Sequence, residues 1–208
     1  MRAFDYNKDN HKKVIEIANK HLDTLIPSFK EKYDIELRKP DLTTSIMDYM
    51  GHGIEVSLDK VYYAGENSSV KLLQETCIHD KLCSIVVSHV LGHVALYQNS
   101  EEFRNYFNEI PSLPDDSFGY KKFAMIGIID EGVAQEFQKE GIRTLAKEKK
   151  SMYLELPKTW IEEHTILFGS EYQKGARMIS KLLKSGTKMK EIVEHPFEYL
   201  SYVKKLYF

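Results

Sequence analysis

The chain has 208 residues, 42% of them apolar and 29% charged, which is enough apolar material for a buried core and favours one domain over disorder or several units. The formal net charge is −2, with acids and bases interspersed, so no phosphate-binding surface stands out and nucleic acid is not an expected partner. No run reaches the length of a membrane span, and the polar opening MRAFDYNKDNHKK lacks the apolar stretch of a secretory leader, which points to a cytoplasmic protein with no membrane partner.

The first predicted element is a helix over Asn7–Tyr33, where Val14, Ile17, Ala18, His21, Leu22, Leu25 and Phe29 recur at helical spacing. Pro27 is expected to kink or split it. Between Asp34 and Ala64 the period shortens. Ile35–Leu37 and Ile54–Leu58 alternate and Val61–Tyr63 is β-prone, which predicts two to four strands in a small sheet punctuated by Gly51, Gly53 and Gly65.

A short helix over Val70–Thr76 is predicted next, then a longer one over Asp80–Gln98 with Asp80 as N-cap. The longer helix is apolar almost all round and should be buried. Cys77 and Cys83 flank His79 just before it. Their spacing matches no common zinc pattern, and two lone thiols read as buried apolar residues rather than ligands or a disulfide.

Asn99–Tyr120 reads as a short helix and a loop with Pro111 and Pro114. A helix over Tyr120–Glu140 follows and is expected to stop at Gly141. The Lys147–Lys150 run reads as a solvated face. Lys147–His164 is irregular, with a strand expected at Met152–Leu156. Helices over Glu171–Lys184 and Lys188–Glu194 flank Gly186, and Phe197–Tyr207 is a last amphipathic segment behind Pro196. The order implies an α+β fold: one domain over 1–208, with a sheet-bearing half, 1–98, and a helical half, 99–208.

Two polar groups interrupt the apolar helices. His89 and His93 stand at i and i+4, so both imidazoles leave one helix face about a turn apart and can converge on one metal. Two core histidines hydrogen-bonded to backbone are the alternative. Downstream, Asp130 and Glu131 interrupt the run FAMIGII. Carboxylates there are costly to bury unless paired or metal-bound, and the alternative is an exposed surface pair. The small Gly132 and Ala134 would let another helix approach closely.

Together, HVLGH at 89–93 and DEGVAQEF at 130–137 resemble the paired motifs of gluzincin-type zinc metallopeptidases, HExxH and (N/D)EGxA. Tyr172-Gln173-Lys174-Gly175-Ala176 is similar to a later helix in many such domains, and the likeness spans roughly residues 54–186. The resemblance implies a zincin-like fold with a central metal-binding helix. It implies Zn²⁺ held by His89, His93 and Glu131, and Asp130 orienting a neighbouring group. Tyr172 matches the tyrosine that opens the later helix. His164 is a weak candidate for oxyanion stabilisation and matches no motif.

The family's general base, however, falls at Val90. That glutamate takes a proton from the zinc-bound water and passes it toward the leaving amine, and a general base is worth about 10²–10⁴-fold. Valine cannot do this. Three readings follow: a zinc-binding relative with proteolysis lost or strongly reduced, an active peptidase using another base such as Asp130 or Glu136, or a metal-free structural or interaction module. A peptide or protein is the expected ligand of the first two, laid in extended form along a sheet edge.

Overall fold

In a computed structural model of the chain, residues 8–45, 60–64, 67–109, 117–148 and 169–208 are described. The apolar stripe of the first helix, α1 (Lys8–Tyr33), is buried at Val14, Ala18, Leu22, Leu25 and Phe29. Those residues recur every three or four positions and form one face. The helix runs through Pro27 without splitting. Leu25 and Phe29, fully buried on either side, hold it against the core, and the Phe29 ring packs tilted against Phe137 at 4.5 Å between ring centroids. Asp34 ends the helix in a left-handed conformation (φ 57°), donating its N–H to Lys30 O at 2.9 Å.

The expected strand at Ile35–Leu37 is not formed. Side chains take backbone groups there instead of a neighbouring strand. Gln98 bonds both the N–H and the C=O of Arg38, at 2.8 and 2.9 Å, and Asn99 donates to Glu36 O at 3.1 Å. Its alternation reflects the inward turn of Ile35, fully buried, and Leu37, partly buried against the core. The first strand is instead β1 (Asp41–Ser45), followed by β2 (Lys60–Ala64) and β3 (Asn67–Leu73). They form a small sheet in the order β1-β3-β2, with β1 parallel and β2 antiparallel to β3.

The helix expected at Val70–Thr76 is therefore a correction. Val70–Leu73 belong to β3, where pairing on both edges outweighs the local helical pattern, and helix α2 is confined to Gln74–Cys77. Ile54–Leu58 and Met152–Leu156 lie outside the described residues. Helices dominate what is described, so α+β fits only loosely.

α3 (Asp80–Asn99) is buried continuously from Cys83 to Tyr97, as its all-round apolar surface requires. Its N-cap is His79, not Asp80. Asp80 sits in the first turn, where its charge suits the helix dipole, and meets buried His21 of α1 through Oδ1 and its carbonyl, each at 3.1 Å. At the other end the Arg104 guanidinium, from α4 (Glu101–Glu109), donates to Tyr97 O and Gln98 O. Cys77 and Cys83 are buried in the core and not disulfide-linked.

α5 (Ser117–Glu148) is longer than predicted, because Gly141 does not end it. A Cβ at 141 would lie 2.2 Å from Ser88 Oγ, so this glycine serves a helix crossing rather than a cap. α6 (Gly169–Lys184) packs on the opposite side of α5. It is followed by α7 (Met189–Glu194), a 3-10 turn at Pro196–Tyr199 and α8 (Leu200–Tyr207). No helix among the described residues is long and apolar enough to cross a membrane.

Candidate metal centre

Two small-residue crossings set the distances around α5. At the first, a Cβ on Gly92 would lie 2.4 Å from Ala134 Cα, so α3 and α5 touch backbone to backbone one residue from His93. At the second, a Cβ on Gly132 would lie 2.6 Å from Gly175 O, which presses α6 onto the other side of α5. The close approach anticipated from Gly132 and Ala134 is thus made to two different helices. The Gly175 of the third motif acts as the contact point on α6.

The first crossing brings the polar groups of α3 and α5 together. His89 Nε2 and His93 Nε2 are 3.2 Å apart, with ring planes at 82°. Glu131 Oε2 lies 3.5 Å from His89 Nε2 and 3.9 Å from His93 Nε2. The three donor atoms form a group that could hold a metal ion, all within 4.8 Å of one another. The histidine side chains are 5% and 7% exposed and the Glu131 side chain 20%, so the group is largely shielded from solvent.

The remaining ring nitrogen of His93, Nδ1, meets Asp130 Oδ1 at 2.6 Å. With Asp130 as an ionised acceptor of the Nδ1 proton, Nε2 of a neutral ring presents its lone pair toward His89 and Glu131. Burial pushes the Asp130 carboxyl up from the ordinary range, opposed by the neighbouring His93. The histidine rings meet each other and acids of α5, and Asp130 is only 8% exposed rather than on the surface.

The spacing can be tested against a metal. Donor nitrogens and oxygens lie about 2.0–2.2 Å from zinc. A circle through the three atoms at their observed separations has a radius of about 2.1 Å, so one cation can touch all three near that distance. Two imidazoles and a carboxylate also match the zinc donor set and leave a fourth position for another ligand.

Val90, between His89 and His93 on α3, is 3% exposed and packed in the hydrophobic core. The two other acids considered as bases are held elsewhere. Asp130 is bonded to His93, while Glu136 faces Lys139 at 3.0 Å and the Tyr33 hydroxyl at 3.5 Å. Tyr172 lies on α6, but its side chain is outside the described residues, as is the whole of His164. Sequence reasoning missed Gly92. Its place between the two histidines signalled it, since a helix interior disfavours glycine by about 1 kcal/mol unless contact requires it.

No protein-family model, curated protein or solved structure matches this chain.

Proposed function

We propose that the chain is a zinc-binding, gluzincin-like domain in which peptide hydrolysis is lost or strongly reduced. The observation that carries this reading is the convergence of His89, His93 and Glu131 from two helices, with Asp130 fixing which nitrogen of His93 faces the group. In a zincin-like arrangement a bound zinc ion supplies Lewis-acid chemistry at this point. The chain's own part is to hold the donors in register, keep the histidines away from bulk water and orient His93 through Asp130. The proton-moving part is missing: Val90 has no acid–base group, and Asp130 and Glu136 are engaged by His93 and by Lys139 with Tyr33. A peptide or protein segment remains the expected ligand, and β1 and β2 are the outer strands it would pair with.

One observation favours a second reading. The 3.2 Å contact between the Nε2 atoms is also hydrogen-bond distance, so Asp130, His93, His89 and Glu131 could form a metal-free polar chain inside a structural module. Thermal unfolding separates the two. Under the first reading, zinc raises the unfolding temperature of chelator-stripped protein in a concentration-dependent way, and the loaded protein leaves a broad library of unfolded peptides uncut. An unfolding temperature indifferent to zinc and chelator favours the second reading. Chelator-sensitive cleavage by the unaltered chain refutes the loss of hydrolysis.

A further inference from the structure

The near-zero net charge conceals a local excess. Along the α5–α6 crossing runs an open groove of about 520 Å³, lined by Gln135, Glu136 and Lys139 from α5 and by Arg177, Ser180, Lys181 and Lys184 from α6. The volume is in the range of small-ligand sites, about 300–1,000 Å³. The one acid in the lining, Glu136, is engaged by Lys139 at 3.0 Å and by the Tyr33 hydroxyl. That leaves Arg177, Lys181 and Lys184 on one wall, with Ser180 and Gln135 as neutral hydrogen-bonding groups.

The three cations share one helix face, at i, i+4 and i+7, and all are exposed. None has an acid three or four residues away: those positions hold Gln173, Lys174, Ser180, Met178, Ser185, Thr187, Lys188 or another of the three. Among the described residues no carboxylate pairs with them. Arg177 with Lys181 and Lys181 with Lys184 are therefore like-charge neighbours, which disfavours the helix. The helix dipole accounts for lysines in the last turn, Lys181 and Lys184. It does not account for Arg177 in mid-helix, or for the groove beneath.

We propose that the α5–α6 groove binds a multiply charged anion, a ligand carrying two or more phosphate or carboxylate groups. Arg177 to Lys184 spans about 10 Å of helix axis, more than one small monoanion covers. Charge-assisted hydrogen bonds from Arg177, which can grip two oxygens at once, and from the lysines recognise it. The inference does not rest on the metal centre.

The test is calorimetric titration of the full chain with inorganic tripolyphosphate and, separately, citrate. The variant Arg177→Gln/Lys181→Gln/Lys184→Gln is compared with Lys12→Gln/Lys13→Gln/Lys20→Gln, which removes the same charge from exposed positions on α1. Because all six side chains are exposed, both variants keep the fold, and circular dichroism verifies it. Expected is one site per chain with Kd below about 1 mM, weakened at least about tenfold in the groove variant and within about twofold in the control. Binding of tripolyphosphate alone assigns a phosphate ligand; comparable binding of citrate assigns carboxylates as well. Absence of binding by both probes, or equal weakening in the two variants, overturns the proposal.

Discussion

Asp130 and Glu131, neighbours on α5, address opposite nitrogens of one imidazole: Asp130 Oδ1 lies 2.6 Å from His93 Nδ1, and Glu131 Oε2 lies 3.9 Å from His93 Nε2. One helix turn therefore orients the ring and adds a donor to the face it presents. Partners of this kind typically account for 10–100-fold in metal affinity. Asp130→Ala is expected to bind zinc about 10–100-fold more weakly while still binding it, measured by competition with a chromophoric chelator. An unchanged affinity would show that the carboxylate does not prepare His93 for a metal.

The glycines of the metal-site helices should respond oppositely to the same substitution. Gly92→Ala places a methyl group against Ala134 Cα and Val133. Backbone cannot yield as a side chain can, so the helices must part, with a loss of about 1–3 kcal/mol and weaker zinc binding. Gly127 has nothing within 4 Å of where its Cβ would sit, so Gly127→Ala should stabilise the chain by about 0.5–1 kcal/mol. Chemical denaturation of the two variants checks both signs.

The parts of this arrangement legible in the sequence were those that one helix decides for itself. His89 and His93 share a face because of their spacing, and α3 is buried because it is apolar all round. Asp130 and Glu131 stood out because acids interrupt an apolar run. What the sequence hid depends on a distant partner. Ile35–Leu37 alternates like a strand, but Gln98 and Asn99 take its backbone. Val70–Leu73 follow a helical pattern but are claimed by β1 along their whole length and by β2 at Val70 and Lys71. Gly141 looks like a helix end until Ser88 is found against it. The basic groove was invisible because its cations are offset in the overall charge by acids elsewhere.

Val90→Glu tests whether a missing base is what separates this chain from hydrolysis. Val90 is in the core, so a carboxylate there is desolvated, and in metal-free protein it should lower stability by about 1–3 kcal/mol. The variant is expected to retain zinc and to gain chelator-sensitive cleavage of unfolded peptides that the unaltered chain does not cut. Retained zinc with no gain would mean that the arrangement around position 90 lacks more than a base.

Tyr33 gives the fold an alkaline limit. Burial raises its phenol above the ordinary tyrosine value, reinforced by the charges of Glu136 and Glu140. The folded chain thus holds this proton to higher pH than the unfolded chain. The stability tied to it is complete below about pH 10, the unfolded value, and is lost as pH rises beyond that. Tyr33→Phe should flatten the fall in stability above about pH 10 while changing little at neutrality. Denaturation midpoints across that range check it, and identical alkaline slopes would contradict it.

Zinc content by elemental analysis, on protein purified without an affinity metal and then loaded and dialysed, bears most directly on the metal centre. The unaltered chain should carry about one zinc per chain, and His89→Ala and Glu131→Ala close to none. A chain that takes up no zinc, or whose two variants carry as much as the parent, would contradict the convergence of these side chains on a cation.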